Sequence, residues 1–196
     1  HLGGSGSICA VKNGKSVDTS LGLTLQCGTM HNNRCGDIDP YIIFYLVESC
    51  GMTLEEVKQM LQTKSGLYGM SGGVGRDLRD VQAAAEAGNE DAELAIRAYC
   101  YSIKKYIGAY AAIMNGIDAV LFTGGIGENS WEVREAVCED MDYFGIKIDK
   151  ELNRSTRGKL VKLSTPDSKV EVWVVPTNEE LLIARDTLAV IAEQNK

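Results

Sequence analysis

An apolar run that ends on three glycines constrains this chain more than any other feature. Asp118-Ala-Val-Leu-Phe-Thr123 leads directly into Gly124-Gly125-Ile126-Gly127-Glu128-Asn129, and a helical pattern follows from Trp131 to about Met141. The short continuous run predicts a buried, parallel strand. The glycines let the backbone approach a ligand closely and adopt positive φ. The helix behind them offers free N–H groups and the positive end of its dipole. Such a chain is α/β, with strands delivering loops onto helix N-termini. The turn suits a phosphate or nucleotide, or it is a tight connection with no ligand, and spacing leaves both open. It is not a Walker loop, since no Gly-Lys-Ser/Thr follows, and it lacks the GxGxxG spacing.

The remaining segments fit the same class. Residues 7–19 predict a hairpin turned at Asn13-Gly14, and residues 20–36 read as irregular. A helix is expected after Asp39-Pro40, with Asp39 as N-cap, Pro40 at the first helical position and Ile42, Ile43, Leu46 and Val47 at helical spacing. Thr53 and Glu56 form a capping box that opens a helix to about Gln62. Residues 64–76 read as a glycine-rich loop. Asp77 to Ala87 predicts a helix stopped by Gly88. Asn89 to Met114 predicts one long helix burying Leu94, Ile96, Tyr99, Ile103, Ile107 and Tyr110. Asn129 or Ser130 caps the helix at Trp131. Residues 146–169 look ill-defined, Val170–Val175 a second strand, and 178–194 a final helix with Thr177 and Glu180 as a capping box.

Composition narrows the function. With 196 residues, 44% hydrophobic and 24% charged, the chain suits a single domain, 1–196. A net charge of -7 gives no basic footprint for nucleic acid. An anionic ligand must then be held by local backbone donors and a few placed cations. No stretch approaches the roughly 18 apolar residues that a membrane span needs, and no leader suggests secretion. Six scattered cysteines without a CxxC pair, and two histidines, read as free thiols in a reducing cytoplasm. The first residue is His rather than Met, so the chain is expected to be part of something longer.

Other candidates are individually ambiguous. His1-Leu-Gly-Gly-Ser-Gly-Ser7 is glycine-rich just before the hairpin. Arg34 stands beside Asp37 and Asp39, either as an ion pair or as an anion clamp. Glu179-Glu180 offsets a helix dipole or ligates a metal near phosphates. Asp77-Leu-Arg79-Asp80 reads as a cap plus helix pairs. His31 reads as solvated or structural, and as a catalytic base only if it has a partner. Tyr99, Tyr101, Tyr106 and Tyr110 read as core or interface.

Taken together, Phe122-Thr-Gly-Gly-Ile-Gly-Glu-Asn-Ser130, Gly36-Asp-Ile-Asp-Pro40, Lys104-Lys-Tyr-Ile-Gly-Ala-Tyr110 and Pro176-Thr-Asn-Glu-Glu-Leu181 closely resemble the acetate and propionate kinase family. The resemblance runs along the whole chain but covers only the C-terminal half of the family's protein. It implies the actin-like ATPase fold of acetate and sugar kinases, heat-shock chaperones and actin, with a ribonuclease H-like C-terminal domain. It implies transfer of the γ-phosphoryl of ATP to a short-chain carboxylate, acetate or propionate, giving an acyl phosphate, with Mg2+ or Mn2+. By position, His1, Leu2, Gly3, Gly4 and Ser5 match the phosphate-facing loop. Asp77, Leu78 and Arg79 match the adenosine side, and Gly125, Ile126, Gly127, Glu128 and Asn129 match a third nucleotide segment. Glu179 matches the metal ligand, and Arg34 the arginine that stabilises the transferring phosphoryl group.

The chain also departs from that pattern. Gly4-Ser5 replaces Asn-Gly in the first loop, Leu25 replaces a proline of the acyl pocket, and His31-Asn32-Asn33 precedes Arg34 where the family has Met-Gly-Thr. The catalytic N-terminal domain, with its aspartate, histidine and second metal ligand, and the strand leading into His1 would lie upstream. The resemblance thus implies a nucleotide-binding half that does not catalyse alone, a homodimer joined through this half near residues 94–114, and a cytoplasmic enzyme. A second reading, from another class, is a non-catalytic remnant or interaction module that keeps the fold.

Overall fold

The computed structural model describes residues 1–194. β1 (Cys9–Lys12) and β2 (Lys15–Thr19) form an antiparallel hairpin. Asn13 and Gly14 take φ of 53° and 75°, the left-handed pair that a two-residue turn between right-twisted strands requires. α1 (Tyr41–Glu48) and α2 (Leu54–Thr63) follow an irregular stretch. The Thr53–Glu56 capping box forms as predicted, with both reciprocal bonds present. Asp39 accepts the Tyr41 N–H at 2.9 Å, but the N-cap position falls on Pro40, one residue later than expected, so Pro40 stands just outside the helix instead of opening it. α1 buries none of its residues, so the apolar pattern read there is not a core face.

The scaffold is α5 (Glu90–Met114), capped by the Asn89 side chain on the Ala92 N–H and closed by left-handed Asn115. Its core stripe runs through Ala92, Ala95, Tyr99, Ile103, Ile107 and Tyr110. Leu94 lies off that stripe and is 51% exposed, contrary to expectation. α3 (Gly66–Met70), α4 (Leu78–Glu86) and α7 (Trp131–Cys138) pack against α5. Residues 64–76 are therefore not all loop. Gly66, at φ 63°, starts α3 where a Cβ would sit 2.2 Å from the His31 carbonyl oxygen.

β3 (Ala119–Phe122) pairs in parallel with β5 (Glu171–Val174), and β4 (Val161–Lys162) pairs antiparallel on the other side of β5. The parallel reading of β3 holds, but its burial does not: Phe122 is buried and Leu121 is 57% exposed. The reason is position, because β3 is the edge of its sheet. Asp118 and Phe122 turn their carbonyls to β5, accepting from Glu171 and Val175. The alternate residues Ala119 and Leu121 turn their backbone groups the other way. They face a groove of about 600 Å³ between β3 and the hairpin, lined by Ile8, Val11, Ile107, Tyr110 and Met114.

Between β3 and β4 the chain forms α6 (Gly124–Asn129), α7 and α8 (Lys150–Ser155), so the segment expected to be ill-defined carries a helix and a strand. α9 (Glu179–Gln194) closes the described chain, with every residue exposed. No helix among the described residues is long and apolar enough to cross a membrane.

Candidate functional site

Loops that converge at the carboxyl ends of parallel strands form a crevice in which α/β proteins place ligands. Here the strand ends are those of β3 and β5, and four sequence-distant segments meet there. The first is 1–7. Leu2 donates its N–H to the Thr123 carbonyl at 2.8 Å, and its own carbonyl accepts from Ile126 at 2.8 Å. Gly124, at φ 78°, would bring a Cβ to 2.7 Å from the Leu2 oxygen, so only glycine lets the two loops touch. The expected first loop and the Gly125–Asn129 segment are thus one structure. That segment is a short helix, α6, not an open loop.

The third segment joins through Asn32. Its N–H donates to the Gly4 carbonyl at 3.3 Å, and its side-chain amide donates to the Arg76 carbonyl at 2.6 Å. This brings Asp77, Leu78 and Arg79 beside the first loop. Asp77 caps α4 by accepting the Arg79 N–H, and its carboxylate takes the Arg79 guanidinium at 2.9 and 2.7 Å. Those bonds hold its pKa down at about 2. Leu2 and Leu78 are buried, so at these two positions only the backbone is available to a ligand.

The fourth segment is the start of α9. A Glu128 carboxylate oxygen accepts from the Gly124 N–H, the Thr177 N–H and the Thr177 hydroxyl, at 3.0, 3.0 and 3.1 Å. Thr177 is therefore committed to Glu128, and the expected capping box with Glu180 does not form. Asn178 caps instead, accepting the Leu181 N–H at 3.1 Å. Glu179 stands exposed in the first turn. Among the described residues no cluster of three His, Cys, Asp or Glu could hold a metal ion alone. Asn129 turns its side-chain amide to the Gly125 carbonyl at 2.9 Å.

Arg34 was open between an ion pair and an anion clamp. Asp37 is taken by the Gly28 N–H and the Tyr106 hydroxyl, and Asp39 by the Tyr41 N–H. Among the described residues no carboxylate lies within ion-pair distance of Arg34, and its Nε is buried without a partner. A guanidinium without a carboxylate partner suits an anion.

Two residues that organise the site were not legible as such. Arg134 is fully buried and has no carboxylate partner among the described residues. It donates to the Gly127 carbonyl at the end of α6, to Asn153 and to the Thr156 carbonyl, tying α6 to α8. Burial pushes its pKa down to about 10. The one available signal was a cation beside Val133 and Val137 on the buried side of α7. His31 is 1% exposed, so of the readings left open for it the solvated one is excluded.

A model of the acetokinase family matches residues 1–185. The acetate kinase of Acetivibrio thermocellus is 52% identical over 191 residues, 97% of this chain and 47% of that protein. The crystal structure of Porphyromonas gingivalis acetate kinase matches with a TM-score of 0.92 at 48% identity, covering 97% of this chain and 48% of that one. A propionate kinase from Francisella tularensis matches with a TM-score of 0.86 at 38% identity, covering 94% of this chain and 46% of that one. The chain has the actin-like ATPase fold of these structures and spans about half the length of the relatives it matches.

Proposed function

The chain belongs to the acetokinase family, and from that premise we propose that it is the nucleotide-binding half of an acetate kinase-like phosphotransferase. The observation that carries this reading is the convergence of residues 1–5, Arg34, 77–79, 124–129 and 177–179 around the carboxyl ends of β3 and β5. The chain carries a net charge of -7, so ATP or ADP must be drawn in by local donors. Gly3, Gly124, Ile126 and Gly127 spend their N–H groups within the site, so the backbone N–H groups of Gly4, Ser5 and Gly125 meet the phosphates, and Asp77 to Arg79 lie on the adenosine side. Arg34 offsets charge on the transferring phosphoryl group.

The donor set at the start of α9 fits a hard cation only in part. Glu179 is a single exposed carboxylate in a helix first turn, which suits Mg2+ or Mn2+, since such ions take one or two protein oxygens and complete their shell from phosphate and water. When bound, the ion neutralises phosphate charge. The carboxylate acceptor, acetate or propionate, and the rest of the catalytic groups belong to the other half of the longer protein, and a homodimer through α5 completes the assembly. The edge of β3, with its outward main-chain groups over an apolar groove, supports a partner on that side.

A second reading, a module that keeps the fold without catalysis, draws on the altered 24–33 segment. There Leu25 is exposed where the family places a pocket proline. Calorimetry with Mg-ADP and Mg-ATP separates the two. Saturable binding that is weakened in an Asn129→Ala, Glu179→Ala double variant is expected, whereas a folded chain that binds neither nucleotide favours the module.

A further inference from the structure

His31 is wholly enclosed, and each of its polar groups holds a different part of the site. Its Nδ1 accepts the Gly6 N–H at 3.0 Å. That bond fixes the tautomer: an acceptor at Nδ1 leaves the proton on Nε2, which lies 3.4 Å from the Cys27 carbonyl oxygen. Its backbone N–H donates to the Arg34 carbonyl, and its own carbonyl accepts from Leu67 in α3 at 2.9 Å. Gly66, where any Cβ would strike that carbonyl, keeps the backbone of His31 in place. The imidazole therefore reaches from a backbone fixed by α3 to the glycine loop, with Arg34 three residues on.

We propose that His31, as a neutral imidazole, is the positioning residue that holds the 1–7 loop in register with the Arg34 loop. The role in ligand binding rests on the nucleotide reading given above, while the register itself does not.

The chemistry is one-way. Adding a proton to His31 places an N–H at Nδ1 against the Gly6 N–H, so two donors face each other and the loop loses its anchor. The groups around the ring oppose that proton. Desolvation disfavours the charge first, and the Arg34 guanidinium adds to it. The Cys27 carbonyl and Asp37 favour it, but Asp37 is exposed and already accepts from Gly28 and Tyr106. The balance lowers the His31 pKa, so the anchor holds through neutral pH and releases on acidification. Asn32 adds a second tie, from Gly4 to Arg76, that carries no titrating group.

The test uses the full chain, two variants and two readouts. In His31→Asn the short amide oxygen stands in for Nδ1 and cannot titrate. In His31→Met there is no such acceptor. Ring 15N NMR of the wild type is expected to show the Nε2–H tautomer titrating below the ordinary histidine value, with the Gly6 amide shift following the same midpoint. An ordinary midpoint, or a Gly6 amide that ignores it, overturns the anchor whatever the chain binds. For Mg-ADP, calorimetry is expected to show wild-type affinity falling about tenfold on acidification through that midpoint, the scale of one lost hydrogen bond. His31→Asn is expected to stay flat with pH and near wild type at pH 7.5, and His31→Met to be weak at every pH. Equal affinity of all three folded proteins at every pH overturns the positioning role. A wild type that binds no nucleotide overturns the reading it rests on, and the NMR titration alone then decides the anchor.

Discussion

Arg134 shows how one residue can be indispensable without touching a ligand. It is a buried cation whose donors are met by backbone carbonyls and the Asn153 side chain, with no carboxylate among the described residues. Arg134→Met leaves those acceptors unpartnered in a dry site, and a loss of about 3 kcal/mol or more is expected in denaturant unfolding. Arg134→Lys should cost nearly as much, because an ammonium cannot span the same fork. Gly124 is limited in a different way. A Cβ there meets the Leu2 oxygen at 2.7 Å in a left-handed backbone. Gly124→Ala is expected to destabilise by about 2 kcal/mol and to weaken Mg-ADP binding, since it separates the 1–7 loop from α6.

Among the elements, α4 carries a pH dependence with a defined sign. Asp77 has its pKa lowered from 3.8 to about 2 by the Arg79 side-chain and backbone bonds. The stabilisation is fully present above pH 4 and lost as pH falls through 2. Asp77→Asn keeps an N-cap acceptor and removes the titration, so its melting temperature should not share the wild type's extra loss across that window. Asp77→Ala removes the cap as well and is expected to cost about 1 kcal/mol at neutral pH. Such local devices were readable in the sequence because a cap needs only residues two or three apart: the Thr53–Glu56 box, the Asp77 cap and the Asn13-Gly14 turn all stand as read, while Asn89, read as the start of α5, caps it from just outside. The Thr177 box was equally well formed as a pattern. It failed because Glu128, 49 positions away, offers Thr177 a better-placed acceptor.

At the scale of the whole molecule, two surfaces stand uncovered. The chain spans about half of its relatives, α9 is exposed along its length, and among the described residues β3 presents an unpaired edge over an apolar groove. Acyl phosphate formation by the chain alone is expected to fall short of a full-length kinase by at least about 10²–10³-fold, the usual effect of losing one charge-stabilising group. Adding the complementary half of the Acetivibrio thermocellus enzyme should restore activity and slow hydrogen exchange at the amides of Ala119 and Leu121. Unchanged exchange in an active mixture would show that the partner enters elsewhere. Leu94 and Tyr101, seven residues apart on the exposed side of α5, are the side chains to change in testing the dimer. Sedimentation of a Leu94→Glu, Tyr101→Glu variant should give a monomer where the wild type gives a dimer.

The sequence by itself determined the α/β class, the hairpin, the long α5 and the parallel direction of β3, because period, capping and turn chemistry are written in adjacent residues, whereas the segments of the candidate site were singled out by the family resemblance. Only the tertiary structure decided which of those residues are free to act. Leu94 and Leu121 lie outside the core, Leu78 lies inside it, Arg34 stands apart from both neighbouring carboxylates, and His31 sits buried against Gly6. Burial and hydrogen-bond partners are set by chain segments tens of residues apart. For a polar group, the competition among those segments outweighs the preference of its sequence neighbours.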